Sequence, residues 1–137
     1  MGSILLVESE PGTRERLAAA LEDREHEVLG AATAGEAFAR TSEGGIDVIV
    51  VDAADPTVGV DLARSLQALP DAPPLVLVSS SPAAPEISAR IGAAAFLPKP
   101  FEIGELAAII ARHVELRPVR VFEDFGDDDP TDIARTI

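Results

Sequence analysis

The chain has 137 residues, which is about the length of one domain. Its 24 acidic residues outnumber its 11 basic ones and give a formal net charge of −13, so binding to a nucleic acid backbone or to an anionic membrane is disfavoured. The chain has no cysteine, which excludes disulfides, thiolate metal sites and cysteine nucleophiles. No apolar run approaches the roughly 20 residues of a membrane span, and no secretory signal is recognisable, so we expect a single cytoplasmic domain.

The first half of the chain alternates short apolar runs with helical patterns. Solid apolar runs are typical of strands that are buried on both faces of a parallel sheet. They predict strands at 4–7 and 28–31, and amphipathic spacing predicts a helix over 11–24. Thr33 is a predicted cap of a second helix, which ends at the glycines 44–45.

The second half of the chain repeats this alternation. The predicted strands are 48–51, 75–78 and 94–97, and the predicted helices are 60–69, 83–91 and 102–115. The complete order is therefore five strands that alternate with five helices. This pattern predicts an α/β fold with a doubly wound five-stranded parallel sheet. In such folds the ligand site lies beyond the carboxyl ends of the strands.

Polar residues follow four of the five predicted strands at that edge. They are Glu8, Ser9 and Glu10, then Asp52, Ser79 and Lys99. Carboxylates a few ångströms apart repel each other, so the cluster needs a cation or a bound proton. Oxygen ligands of this kind suit Mg²⁺, which keeps several waters and takes one or two carboxylates.

Lys99 is the only lysine beside ten arginines. A lysine ammonium is a compact charge on a flexible stem and can reach a phosphoryl group across a site. The position of this lysine at the predicted ligand edge therefore suggests a specific role rather than a surface charge.

Four segments together resemble the receiver domain of bacterial response regulators, the flavodoxin-like module of two-component signalling. They are the acidic segment 7–11, the segment 47–52 with Pro56, the strand end 78–79, and 92–101, which reads GAAAFLPKPF. The resemblance covers about 3–116. It implies a (βα)5 sheet with the strand order 2-1-3-4-5.

The resemblance also implies roles for individual residues. Asp52 would accept a phosphoryl group from a histidine kinase or phosphotransfer protein, giving an acyl phosphate. Lys99 would pair with one phosphoryl oxygen, Ser79 would donate a hydrogen bond to another, and Phe96 would turn inward as the switch residue. The Lys99-Pro100 bond would be cis. A downstream protein target would then bind the face formed by the fourth helix, fifth strand and fifth helix.

The acidic segment departs from the family pattern, which places two aspartates after the first strand. Glu8 and Ser9 stand there instead. The implied Mg²⁺ ligands are Glu8, Asp52 and the backbone of Ala54, and the neutral hydroxyl of Ser9 is a weak addition. We therefore expect weak or absent Mg²⁺ binding, because phosphoryl transfer depends on charge neutralisation at these positions. Gly59 also lies only three residues after Pro56, where the family commonly has four.

Three functions remain open at this point. The first is a single-domain response regulator, which is a signalling protein rather than an enzyme. The second is a degenerate receiver that binds proteins independently of phosphorylation. The third is an unrelated nucleotide or flavin binder, although the chain has neither a glycine-rich dinucleotide motif nor a P-loop.

The composition changes near residue 118. We expect a receiver domain over 1–117 and an acidic tail over 118–137, in which 119–122 alternates like a short strand. The rest is charged enough to be disordered by default, or it is a docking peptide anchored by Phe122, Phe125 and Ile133. His26 and His113 are expected at the surface.

Overall fold

A computed structural model of the chain describes residues 2–115, so the predicted tail lies outside the described residues. The strands are β1 (Ser3–Val7), β2 (Glu27–Ala31), β3 (Val48–Asp52), β4 (Leu75–Ser79) and β5 (Ala95–Pro98). The helices are α1 (Pro11–Glu22), α2 (Ala34–Ser42), α3 (Thr57–Leu66), α4 (Ala84–Arg90) and α5 (Ile103–Glu115).

The five strands form one sheet in the order β2-β1-β3-β4-β5, and all neighbouring pairs are parallel. The predicted doubly wound, flavodoxin-like (βα)5 fold with the strand order 2-1-3-4-5 is therefore confirmed. The order changes direction between β1 and β3, which places the expected ligand site at the carboxyl ends of these strands.

Alternate residues of each strand face two separate apolar layers. Leu5, Ile49 and Leu77 pack with α2, α3 and α4, and we call this layer the α2–α4 side. Leu6 and Val50 pack with α1 and α5, and we call this second layer the α1–α5 side. The central strands β3 and β4 are buried along their whole length because helices cover both faces of the sheet.

Helix α3 begins three residues earlier than the predicted start at 60 and ends at Leu66 instead of 69. The reason lies in the preceding loop, where the Asp55 carboxylate accepts hydrogen bonds from the backbone N–H and the hydroxyl of Thr57, at 3.0 and 2.8 Å. These bonds satisfy a free N–H of the first turn, so the helix starts at Thr57. By contrast, the predicted cap of α2 is confirmed, since the Thr33 hydroxyl accepts from the Glu36 N–H at 3.1 Å.

The expectation that His26 lies at the surface is wrong. His26 is buried, with 8% of its surface exposed, in the connection between α1 and β2. Burial lowers the pKa of its imidazole below the ordinary value, because desolvation disfavours the charged ring. His113 is half-buried on α5, where its Nδ1 lies 2.9 Å from the carbonyl oxygen of Ile109.

Within residues 2–115, no helix is both long enough and apolar enough to cross a membrane.

Candidate functional site

The candidate site lies at the carboxyl edge of the sheet, where four neighbouring strands bring polar side chains together. Val7 pairs with Val51, so Glu8 and Asp52 follow paired positions on β1 and β3. Asp52 pairs with Val78, and the next residue on β4 is Ser79. Ser79 in turn pairs with Pro98, the residue before Lys99. The strand register therefore collects residues that lie more than 90 positions apart in the chain.

Asp52 and Lys99 form an ion pair at the centre of this edge. The Lys99 Nζ lies 2.6 Å from Oδ1 of Asp52, whose side chain is 2% exposed. Adjacent strands lie about 4.8 Å apart, and β4 separates β3 from β5, so the lysine side chain spans the width of one strand. The ammonium balances a carboxylate that would otherwise be buried without a compensating charge.

A backbone hydrogen bond to β4 and the peptide bond that follows position Lys99. Its N–H donates to the carbonyl oxygen of Ser79 at 3.2 Å, and the Lys99-Pro100 peptide bond is cis, as expected. The Ser79 side chain is buried, and its hydroxyl accepts a hydrogen bond from the Ser81 N–H at 3.1 Å. Ser79 is thus linked to Lys99 through the backbone and lies one strand away from Asp52.

Phe96 lies two residues before Pro98 on β5 and is half-buried. It pairs with Leu77 and packs on the α2–α4 side. By the alternation of β4, Ser79 points to the same side as Leu77, whereas Asp52 follows the alternation of Val50 and points to the α1–α5 side. The two proposed switch positions therefore share one side of the sheet.

Glu8 is a buried carboxylate with defined partners. Its exposed fraction is 8%, and its Oε2 accepts a hydrogen bond from the Glu10 N–H at 2.9 Å. Its carbonyl oxygen accepts from the Arg14 guanidinium at 2.6 Å. The Arg14 side chain also lies against Gly30, where an added Cβ would be 3.1 Å from the arginine Cδ. Arg14 thereby connects the loop after β1 to the edge strand β2.

The other two residues of the acidic segment point elsewhere. Both carboxylate oxygens of Glu10 accept backbone hydrogen bonds of α1, from Gly12 at 3.1 Å and Thr13 at 2.5 Å. Hydrogen bonds from Thr13, through its side chain and its backbone, lower the pKa of Glu10. Ser9 is exposed to solvent. Glu10 therefore caps the helix, and Glu8 is the carboxylate of this segment that is buried at the edge.

In the loop after β3, the acidic side chain also bonds to the start of the following helix. Ala54 is exposed and contributes its backbone alone, while the Asp55 carboxylate is occupied by Thr57. The backbone hydrogen bond from Thr57 is the main reason that the pKa of Asp55 lies below its usual range. Asp55 thus starts α3 and is engaged away from the Asp52–Lys99 pair.

The polar residues at this edge are compatible with a Mg²⁺ site that has few protein ligands. Among residues 2–115, no three histidine or acidic side chains are grouped so that they could hold a metal ion. Glu8 and Asp52 are both buried and follow paired positions on β1 and β3, and Ala54 offers its backbone alone. Mg²⁺ is commonly bound by one or two carboxylates while it keeps several waters, so two carboxylates at this edge are compatible with that ion.

An open hollow of about 290 Å³ lies beside the ion pair, between α1 and α5. Asp52 and Lys99 line it together with Thr13, Arg16 and Phe101. Sequence reasoning missed Arg14 and Arg16, because periodicity identifies the apolar face of a helix but does not show which polar side chain reaches a distant strand end. One available signal was their place in the first two turns of the helix that follows β1. Side chains of a helix lean towards its N-terminus, which here lies at the site edge.

Comparison with known proteins gives a consistent result. Residues 4–111 match the response regulator receiver domain family. No curated protein matches the sequence.

Solved structures share this fold over most of the chain. The non-phosphorylated HemR receiver domain from Leptospira biflexa is 32% identical with a TM-score of 0.72, and the match covers 87% of this chain and 99% of that one. The receiver domain of a signal transduction histidine kinase from Syntrophus aciditrophicus is 30% identical with a TM-score of 0.74, covering 84% and 91%. The chemotaxis response regulator CheY4 of Vibrio cholerae is 26% identical with a TM-score of 0.70, covering 82% and 98%.

Proposed function

Because the chain belongs to the response regulator receiver domain family, we propose that it accepts a phosphoryl group on Asp52 in phosphorelay signalling. Receiver domains are signalling modules that interact with histidine kinases or phosphotransfer proteins and with downstream targets. The observation that carries the proposal is the buried Asp52 carboxylate with the Lys99 ammonium 2.6 Å away. A nucleophilic carboxylate and a cation for the transferred oxygens are the two groups that this reaction requires.

The transfer follows from the chemistry of these two side chains. An oxygen of Asp52 attacks the phosphorus of the donor, a new P–O bond forms, and the bond from phosphorus to the leaving group breaks with its electron pair. Lys99 then moves from the carboxylate to a phosphoryl oxygen, which its flexible stem and partly exposed side chain allow. The Ser79 hydroxyl, whose oxygen accepts from the Ser81 N–H, donates its own hydrogen to a second phosphoryl oxygen.

Mg²⁺ binding is part of the proposal. Glu8, Asp52 and the carbonyl of Ala54 are the residues that would hold the ion, and Ser9 adds little because it is exposed. When bound, the ion would supply charge neutralisation between the carboxylates and the transferred group. With two carboxylates and one carbonyl, we expect weak affinity.

Phosphorylation shifts the populations of two conformations of a protein-binding surface. Ser79 and Phe96 lie on the α2–α4 side, so a hydroxyl drawn to the phosphoryl group leaves space on that side for the aromatic ring. The face formed by α4, β5 and α5 is the proposed docking surface for a downstream protein target.

A second candidate is a receiver that binds its partner without phosphorylation. The exposure of Ser9 and the use of Glu10 as a helix cap favour it, because the segment after β1 then contributes one buried carboxylate. In that case the Asp52–Lys99 pair is a permanent structural ion pair.

Intact-mass measurement after incubation with acetyl phosphate and Mg²⁺ separates the two candidates. We expect a mass increase of one phosphoryl group in the wild type and none in the Asp52→Asn variant. An unchanged wild-type mass at high millimolar Mg²⁺ would favour the phosphorylation-independent module instead.

A further inference from the structure

Arg16 is a second cationic side chain at the hollow that Asp52 and Lys99 line. It lies on the second turn of α1, and this helix begins at the carboxyl edge of the sheet because it follows β1. Side chains of a helix lean towards its N-terminus, so the guanidinium is carried towards the site edge. Thr13, one turn earlier, lines the same hollow.

Two residues of the first turn set the place of the Arg16 guanidinium. Its Nη2 donates to the Thr13 hydroxyl at 3.3 Å. Its Nη1 lies over Gly12, where an added Cβ would be 3.3 Å from that nitrogen. The absence of a side chain at Gly12 therefore gives the guanidinium room above the first turn of α1.

The Arg16 guanidinium has the Glu10 carboxylate as a neighbour over Gly12, where an added Cβ would be 3.3 Å from Arg16 Nη1 and 3.3 Å from Glu10 Oε1, but within the described part of the chain it forms no close ion pair. Within residues 2–115 the ion pairs shorter than 4.0 Å are Lys99–Asp52 and Arg90–Glu86, so Arg16 is not engaged in one of them. Arg16 is also exposed, whereas the Lys99 ammonium is already bound to Asp52. Among the described residues, Arg16 is therefore a cation at the hollow that no ion pair shorter than 4.0 Å holds, beside a lysine that is held by Asp52.

We propose that Arg16 binds the phosphoryl group of the incoming donor beside Asp52 and makes the site selective for dianionic phosphoryl donors. A guanidinium presents parallel N–H donors that match two phosphoryl oxygens. In a chain with a net charge of −13, a local cation also offsets the repulsion that an anionic donor meets. This inference rests on the proposed function, because it names the donor class of the same site.

The reaction with acetyl phosphate defines the role. Arg16 binds two oxygens of the phosphoryl group, an Asp52 oxygen forms the new P–O bond, and acetate leaves with the electron pair of the broken P–O bond. Arg16 forms and breaks no covalent bond. It is a binding and specificity residue whose contribution appears in the dependence of the rate on donor concentration.

The first test measures phosphorylation rates against acetyl phosphate concentration by intact mass, at fixed Mg²⁺. We expect Arg16→Gln to reduce the slope about three- to fivefold, which is the scale of one partly exposed charge pair. Arg16→Lys should recover part of the loss, and Arg64→Gln, an exposed arginine on α3, should equal the wild type. Added salt should reduce the wild-type slope more than that of Arg16→Gln.

Equal slopes for the wild type and Arg16→Gln would overturn the role of Arg16, whereas the absence of any wild-type adduct would overturn the proposed function. A second measurement is independent of phosphorylation. Inorganic phosphate titrated into ¹⁵N-labelled protein should shift the amide signals of Thr13, Arg16 and Lys99 in the wild type and not in Arg16→Gln. Identical shifts in both proteins would contradict the inference.

Discussion

At the scale of single residues, the central feature is a buried carboxylate whose charge is balanced by one ammonium. Asp52 is 2% exposed, and Glu8 is buried at the end of the neighbouring strand. Without Lys99, two carboxylates would share this edge with no cation in contact with Asp52. The ion pair therefore supports both the fold and the proposed chemistry.

Replacement of Lys99 by methionine keeps the length of the side chain and removes its charge. We expect Lys99→Met to lower the free energy of unfolding by about 2 kcal/mol, because it leaves a buried acceptor without its partner. The double variant Lys99→Met/Asp52→Asn should lose less than the sum of the single variants. Urea denaturation followed by far-UV circular dichroism measures all four proteins, and strictly additive losses would show that the pair is not coupled.

A second residue-scale prediction concerns the missing carboxylate after β1. Ser9→Asp adds one charged ligand beside Glu8 and should tighten Mg²⁺ binding on the order of tenfold, since ligand charge sets affinity at such sites. Calorimetric titration with Mg²⁺ measures the change, with Ser42→Asp, at an exposed position at the end of α2, as the control. An affinity equal to that of the wild type would mean that position 9 remains turned to solvent.

The sequence allowed Asp52, Ser79 and Lys99 to be placed at one edge, because each follows an apolar run and the carboxyl ends of parallel strands share an edge. It did not reveal the contacts of Arg14 and Arg16. Their partners are a carbonyl oxygen, a hydroxyl and the space over a glycine, none of which has a sequence pattern of its own. The burial of His26 was also missed, because no pattern in the sequence marks it.

At the scale of the elements, acidic side chains fix where helices begin. Glu10 caps α1 and Asp55 bonds to the first residue of α3, and both have a lowered pKa because the ionised form accepts hydrogen bonds. Such a group stabilises the fold fully above its unfolded pKa. The stabilisation is lost as the pH falls through the lower pKa of the folded state.

Variants of Glu10 test this dependence at the helix that carries Arg16. Glu10→Ala should lower the urea midpoint at pH 7, and the difference from the wild type should shrink as the pH falls below 4.5, the ordinary pKa of the carboxyl group. Glu10→Gln keeps a hydrogen-bond acceptor but has no charge that titrates. Its urea midpoint should therefore lack the change with pH that the ionisation of Glu10 causes in the wild type. A difference between Glu10→Ala and the wild type that is constant from pH 7 to acid pH would contradict the assignment.

The element boundaries show the limit of pattern reading. The start of α2 was predictable because threonine is a common cap with a short-range signature. The start of α3 was not, since the helix begins with Thr57 and Val58 before the apolar spacing becomes evident. The cap that Glu10 forms on α1 was likewise unexpected, because glutamate is not among the preferred capping residues.

At the scale of the whole molecule, the sheet separates the proposed phosphoryl acceptor from the two proposed switch residues. Asp52 belongs to the α1–α5 side by alternation, and Ser79 and Phe96 belong to the α2–α4 side. A group bound to both Asp52 and Ser79 would connect the two sides across the edge of the sheet. The alternation of elements predicted the parallel sheet, whereas the strand order came from family resemblance, because periodicity does not specify which strands are neighbours.

This arrangement predicts a directional response. Beryllofluoride with Mg²⁺, which stands in for the phosphoryl group, should shift amide signals of Ser79, Ser81, α4 and Phe96 in ¹⁵N-labelled wild type. The same addition should leave Asp52→Asn unchanged. Shifts confined to the α1–α5 side would contradict a switch through Ser79 and Phe96.

The most direct test of the proposed function is chemical identification of the phosphorylated side chain. The protein is treated with acetyl phosphate and Mg²⁺, reduced with borohydride, digested and sequenced by mass spectrometry. An acyl phosphate on Asp52 is converted by this reduction to homoserine, so we expect homoserine at position 52 and unmodified acidic residues elsewhere. Homoserine at another position, or intact aspartate at position 52 in protein that has gained a phosphoryl group, would contradict it.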